Sequence, residues 1–189
     1  MSDIIYEKLG EDNFDKVYNI LVQSFPEDER RTYIEQKNLL NENSYSIYAF
    51  RNDKRIVAFI SVWQFENFSY IEHFAVDSSM RNNGLGRNIL RKIIPHLNGI
   101  VCLEAELPET ELAKRRISFY ERNGFYTNEF SYVQPPYSKG KNPIELIIMT
   151  YGRKINDNEF QNIKNNLYNK VYKVKNQEDK NVNNEKDLL

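Results

Sequence analysis

Ile71-Glu72-His73-Phe74-Ala75-Val76-Asp77-Ser78-Ser79-Met80-Arg81-Asn82-Asn83-Gly84-Leu85-Gly86-Arg87-Asn88-Ile89-Leu90 is the stretch on which the reading of this chain turns. Its first residues are aromatic and β-branched, as in a strand, and Leu85, Ile89 and Leu90 fall at helical spacing. Between them lies a basic turn holding two of the chain's seven glycines. A strand that feeds such a turn leaves backbone N–H groups at the positive end of the next helix, which suits a phosphate or pyrophosphate. Gly84 and Gly86 allow a ligand close to the backbone, and Arg81 and Arg87 add charge. A strand-to-helix connection without a ligand has the same local pattern. A dinucleotide fingerprint needs a small residue where Ile89 stands, and a Walker A loop needs Gly-Lys-Ser/Thr, which is absent.

Upstream of this stretch the apolar period is two. Tyr45, Ile47 and Ala49, then Ile56, Ala58, Ile60 and Val62, alternate with other residues, and Asn52-Asp53 reads as the turn between the two runs. With the run Phe68 to Val76 they predict three sequential antiparallel strands. Before them, Asp3 to Leu9 reads as a short strand, and Phe14, Val17, Ile20, Leu21 and Phe25 as a helix. Pro26-Glu27-Asp28 breaks that helix and can start another, carrying Tyr33, Ile34 and Leu40. Downstream, Ile100 to Leu107 reads as a fifth strand, Glu111 to Asn123 as a helix closed by Gly124, Phe125 to Val133 as a sixth strand and Ile144 to Thr150 as the last. The helix joining the fourth and fifth strands predicts a parallel crossover in an otherwise antiparallel sheet, so the class is mixed α/β. Ile155, Phe160, Ile163, Leu167, Val171 and Val174 mark an amphipathic helix, and Lys175 to Leu189 is polar enough to predict disorder. The expected division is 1–152, 153–174 and 175–189.

The 189 residues suit one domain with an appended helix. Twenty-six Lys and Arg against 27 Asp and Glu leave a net charge of -1, which gives no sequence-wide field for nucleic acid. Cys102 is the only cysteine, so an internal disulfide and a multi-cysteine zinc site are excluded, and no metal is expected. No apolar run has the length of a membrane span, and Met1 to Glu7 lacks the layout of a signal peptide; a soluble cytoplasmic protein is expected.

Arg81-Asn82-Asn83-Gly84-Leu85-Gly86 resembles the acyl-CoA signature of the GNAT superfamily of N-acetyltransferases, Arg/Gln-x-x-Gly-x-Gly/Ala. The later block Ala113 to Phe125, with Phe119-Tyr120-Glu121-Arg122-Asn123-Gly124-Phe125, is similar to the family's later helix and its Phe-Tyr-x-x-x-Gly-Phe ending. The resemblance spans roughly Asp3 to Thr150. It implies a central, mostly antiparallel sheet of about seven strands, a splayed fourth and fifth strand, and helices on both faces. It also implies acetyl-CoA as co-substrate. The pantetheine arm would lie along the backbone of Phe74, Ala75 and Val76. The pyrophosphate would lie on Arg81, Asn82, Asn83, Gly84, Leu85, Gly86 and Arg87, with Ser118 of the second block also at the cofactor. Lys114, Arg115 and Arg116 could reach the 3′-phosphate, although a charge run on a helix also reads as a solvated face.

Acetyl transfer to an amine needs a neutral nucleophile, polarisation of the thioester carbonyl and a proton for the departing thiolate. By the resemblance Tyr120 is the proton donor, and a phenol with pKa near ~10 suits that task. It also reads as a core tyrosine beside Phe119 and Phe125. Simple alternation puts Glu72 on the face of Phe74 and Val76, where the family often carries the base, and His73 on the other face. Glu104 and Glu106 share a face of the fifth strand and compete for that role. Cys102 reads as a small buried hydrophobe. On the acceptor side the resemblance points to Ser24 to Arg31, with Phe25, Glu27, Asp28 and Glu29, and to Val133 to Lys139, with Gln134 and Pro135-Pro136-Tyr137. Together with Glu72, Glu104 and Glu106 the acids would form a mouth for a protonated amine. A small molecule, a peptide amine, and a non-catalytic acyl-CoA-binding module all remain open, as does a homodimer through the C-terminal helix.

Overall fold

The computed structural model describes residues 5–81 and 83–174. Residues 1–4, where the first expected strand begins at Asp3, Asn82 and the tail 175–189 lie outside the described residues. The chain divides into two compact units, one ending at Ile155 and one beginning at Asn156.

The first unit carries β1 (Ile5–Lys8), α1 (Phe14–Ser24), α2 (Tyr33–Asn38), β2 (Tyr45–Asn52), β3 (Arg55–Gln64) and β4 (Phe68–Val76). It continues with α3 (Leu85–Ile93), β5 (Ile100–Glu106), α4 (Glu111–Glu121), β6 (Phe125–Thr127), β7 (Tyr132–Gln134) and β8 (Ile144–Tyr151). These strands form one sheet of eight in the order β1-β2-β3-β4-β5-β8-β6, with β7 also on β8. Every pairing is antiparallel except β4 with β5. Eight strands replace the expected seven because Phe125 to Val133 is two short strands rather than one. Asn128 breaks the run: it is buried, and its amide donates to the Ile148 carbonyl at 3.0 Å and to Thr150 Oγ1 at 3.0 Å. Its Oδ1 accepts from the Ile155 N–H at 2.9 Å.

Alternation sorts the core into two faces. Leu85, Ile89, Leu90 and Ile93 of α3 and Ile117 of α4 share a cluster with Ile60, Val62, Ile71, Leu103 and Ala105. Tyr45, Ile47, Ala49 and Phe59 point to the opposite face, and α1 packs there on β3 and β4 with Phe14, Val17, Ile20 and Leu21 buried. Pro26 starts a tight 3₁₀ turn, Glu27–Glu29, rather than a second α-helix. The helix begins only at Tyr33, where Thr32 and Glu35 form a capping box. Pro95 ends α3 in a 3₁₀ turn, Ile94–His96.

The sheet is irregular at one functional place. Ser61 pairs with His73 while Val62 pairs with Ile71, so Glu72 is an extra residue in β4. Just past it, the parallel ladder between β4 and β5 stops: it covers only Phe68 to Ile71 against Ile100 to Leu103. Beyond that point β5 pairs only with β8, and the two strands splay apart.

The second unit carries α5 (Asp157–Asn166), capped by the reciprocal Asn156–Glu159 pair, running into a wider π turn over Leu167–Val171. Among the described residues no helix is long and apolar enough to cross a membrane.

Candidate active site

The gap between β4 and β5 opens into a cleft of about 1020 Å³. Its shape follows from hydrogen-bond parity. On the ladder with β3, the Asp77 N–H reaches the Val57 carbonyl at 2.8 Å, so the paired positions run on through Ala75 and Phe59. The intervening residues, Phe74 and Val76, therefore direct their N–H and C=O groups away from β3 into the gap. Phe74, Ala75 and Val76 all line the cleft.

The cleft continues onto the start of α3. Gly84 is the helix N-cap in the left-handed region, at φ 72°, and among the described residues no side-chain hydrogen bond caps the first turn. The leading N–H groups of α3 thus lack intrahelical partners and line the cleft at Gly84, Leu85, Gly86 and Arg87. A Cβ on Gly86 would sit 3.1 Å from the Phe119 ring and 3.7 Å from that of Phe74. Its absence lets α3 and α4 close over the end of β4. Arg81 also lines the cleft and donates through Nε to the Val76 carbonyl at 2.9 Å, bracing the end of the strand. Arg87, Arg115 and Arg122 complete a cationic rim and have no ion-pair partner among the described residues. Lys114 is turned to Glu111 at 3.0 Å, Arg116 to Glu106 at 2.6 Å, and Ser118 and Asn83 lie outside the cleft lining.

Tyr120 projects from α4 into the same cleft, packed against Phe119 and Phe125. Burial pushes its phenol up to about 12, partly offset by Arg116, so it is protonated at neutral pH.

Through the gap the cleft reaches the opposite face of the sheet, where the side chains are acidic and interlocked. The extra residue in β4 turns the Glu72 carboxylate to the side of His73, not to that of Phe74 and Val76 as simple alternation predicts. Glu72 Oε1 accepts from Arg31 Nη1 at 2.6 Å, and Oε2 lies 3.5 Å from His73 Nδ1; both acid and guanidinium are buried. Burial raises the carboxyl pKa, but Arg31 and His73 outweigh it and hold the group at about 2. The Tyr137 ring covers Arg31, with its centroid 4.4 Å from the guanidinium carbon, and stacks beside His73. Phe25 meets the His73 ring edge-on at 4.8 Å, and His73 Nε2 lies 2.9 Å from the Glu29 carbonyl oxygen.

Glu104 accepts from the Tyr70 hydroxyl at 2.7 Å and from the Tyr132 hydroxyl. Glu29, Glu72, Glu104 and Glu106 line the cleft, whereas Glu27 and Asp28 do not. Lys141 donates to the Glu27 carbonyl at 2.7 Å and to the Arg30 carbonyl, and Asn142 Nδ2 donates to Asp28 at 3.0 Å. These contacts strap the loop between β7 and β8 onto the 27–29 turn. Of the four carboxylates in the cleft only Glu29 has no side-chain partner among the described residues. Burial raises its pKa, and Glu106 nearby adds to the effect. Cys102 is fully buried in β5.

The sequence assigns no role to Arg122, Tyr70 or Tyr132, and it places Arg31 and Gln134 in the acceptor stretches without giving either a task. Gln134 had one local signal, its place in period-two alternation just before Pro135-Pro136.

The acetyltransferase (GNAT) family matches residues 14–125, more than half of the chain. The chain belongs to the GNAT family. A GNAT-family protein of Bacteroides thetaiotaomicron is 31% identical, with a TM-score of 0.84 over 90% of this chain and 99% of that one. Two further GNAT-fold structures share the architecture. The ribosomal-protein-S18-alanine N-acetyltransferase of Escherichia coli is 18% identical, with a TM-score of 0.61 over 82% of this chain and 98% of its own. A GNAT acetyltransferase of Elizabethkingia anophelis, solved with acetyl-CoA bound, is 14% identical, with a TM-score of 0.57 over 80% and 99%. No curated protein sequence matches the chain. The splayed strands and the glycine turn of this GNAT protein thus lie inside the matched segment, with Phe125 at its end. Among the described residues no group of three or more His, Cys, Asp or Glu is arranged to hold a metal ion.

Proposed function

We propose that the protein is an acetyl-CoA-dependent N-acetyltransferase that moves an acetyl group to a primary amine by direct transfer in a ternary complex. The observation that carries this reading is the unpaired end of β4. Phe74 and Val76 turn their backbone groups into a gap that leads straight onto the uncapped start of α3. A pantetheine arm carries amide groups that can pair with such an edge as an added strand would. A pyrophosphate suits the helix start, where Gly84 alone relieves the left-handed turn. Arg87, Arg115 and Arg122 suit the remaining phosphate charge.

Acetyl-CoA supplies the activated acetyl thioester. The chain's own residues supply the rest. The Phe74 N–H points into the gap and can polarise a carbonyl there. The Tyr120 hydroxyl holds a proton at the α4 side and can deliver it to a leaving thiolate. On the opposite face Glu29, with its raised pKa and free carboxylate, receives the proton of an incoming ammonium. In this reading Glu72 is a fixed charge that holds Arg31 and Tyr137, and Glu104 is held by two phenols as part of the acidic wall. Because the gap joins both faces of the sheet, amine and thioester can meet without a covalent stop on the protein. The thiol of Cys102 lies in the core, away from the chemistry.

Calorimetric titration with acetyl-CoA, followed by thiol release against an amine panel, tests the proposal. Tight binding with amine-dependent release is expected. Binding without release from any amine would point instead to a cofactor-binding module, and absence of binding would remove the reading of the gap.

A further inference from the structure

Among the described residues one buried amide donor in the cleft has no hydrogen-bond partner. Gln134 is the last residue of β7 and is only 3% exposed, yet it lines the cleft and its Nε2 has no hydrogen-bond partner. A buried orphan donor costs stability unless something else satisfies it, and beside a ligand cleft an acceptor atom of the ligand can do so. Register places Gln134 on the acid face. It pairs with Ile144 on β8, while Leu146 pairs with Tyr132 on one side and Glu106 on the other. β5 and β7 flank β8, so Gln134 stands about 10 Å across the sheet from the line of Glu104 and Glu106. That span corresponds to about three residues of extended chain.

Three cations at this end, Arg31, Arg116 and Lys141, are engaged. Arg31 holds Glu72, Arg116 holds Glu106 and Lys141 holds backbone carbonyls. A free carboxylate on the acceptor would therefore find these three cations already occupied, whereas a neutral carbonyl would find the Gln134 amide. A polyamine has no oxygen to offer and would leave Nε2 orphaned. The loop between β7 and β8 is strapped to the 27–29 turn by Lys141 and Asn142, which fixes it as a wall of the acceptor end.

From these observations we infer that the acceptor is a peptide amine, with its ammonium received near Glu29 and a backbone carbonyl further along accepting from Gln134 Nε2. This inference rests on the transferase reading above.

The test measures thiol release from acetyl-CoA by the full chain with four acceptors. Two are tripeptide amides, one with only a free α-amine and one whose only amine is a lysine side chain; the others are spermidine and alanine. At least one tripeptide amide is expected to exceed spermidine and alanine about tenfold in kcat/KM. Gln134→Met keeps the size and removes the donor. It should raise KM for that peptide about tenfold with kcat little changed, and its melting temperature should be equal or higher because the orphan donor is gone. Gln134→Glu, which replaces the donor with an acceptor, should raise KM as well and serves if the Met variant folds poorly. Preference for spermidine or alanine would overturn the inference and leave the transferase reading standing, as would an unchanged peptide KM in both variants. Release with none of the four, while acetyl-CoA still binds, would overturn both.

Discussion

The two ends of the cleft are built from different materials. On the α3 and α4 side the recognising groups are main-chain: the outward N–H and C=O of Phe74 and Val76 and the uncapped first turn at Gly84, with arginines at the rim. On the α1 side they are side chains, most of them fixed by another: Arg31 by Glu72, Glu104 by Tyr70 and Tyr132, His73 between Phe25 and Tyr137, with Glu29 and the Gln134 amide nitrogen the exceptions among the described residues. A backbone cradle tolerates changes of side chain but not of φ, whereas an interlocked network fails when any one member is removed. The first arrangement suits a ligand that is always the same, and the second suits one that must be selected.

The largest test of this contrast lies where the two ends meet. Tyr120→Phe should lower kcat by about 10²–10⁴-fold, or roughly 3–5 kcal/mol, with acetyl-CoA affinity little changed by calorimetry. Normal turnover in this variant would remove Tyr120 as the acid. Next comes the network itself. Arg31→Met leaves the Glu72 carboxylate buried without its cation and should cost about 3–5 kcal/mol in urea unfolding. Arg31→Met with Glu72→Leu should recover most of that loss, and a loss no smaller in the double variant would mean that the pair acts through something other than charge.

The same pair predicts a pH dependence. Its folded carboxyl titrates at about 2 against 4.5 for an ordinary glutamate, so the unfolded chain takes up the proton first as pH falls. The pair's contribution is therefore complete above about pH 4.5 and shrinks by about 3 kcal/mol as pH approaches 2. Unfolding curves at pH 6 and pH 2.5 for wild type and the double variant separate this contribution from that of other acids.

At the backbone end, the Cβ of Gly84→Val meets no atom within 4 Å, so the fold should persist, but φ of +72° strains a β-branched residue. The expected loss is about tenfold or more in acetyl-CoA affinity, corresponding to about 1–2 kcal/mol of strain. The smallest effect should come from Lys141→Ala, which unfastens the loop between β7 and β8. A few-fold rise in acceptor KM, worth about 1 kcal/mol, with acetyl-CoA affinity unmoved would place the strap in the acceptor end alone.

Much of the backbone end was legible in the chain. The period-two runs, the helical spacing of Leu85, Ile89 and Leu90, and the two glycines are local features, and the conformation they require is local too. The second block placed Tyr120 on its helix for the same reason. The acceptor end was legible only in outline. Phe25, Glu29 and Tyr137 do line the cleft, but Glu27 turns to the loop through its backbone carbonyl. Arg31 looks like any arginine after an acidic turn, and nothing in its neighbours in sequence announces that it is buried.

The sequence by itself determined the order of elements, the mixed α/β class, the family and the position of the glycine turn, because periodicity and backbone freedom are written within a few residues. Only the tertiary structure decided where Glu72 points, since one extra residue in β4 reverses the alternation and hands its carboxylate to Arg31, 41 positions away. It also decided that Phe125 to Val133 is two strands and that Gln134 Nε2 has no hydrogen-bond partner among the described residues. These outcomes depend on which distant groups compete for the same hydrogen bond, and that competition exists only once the strands are side by side.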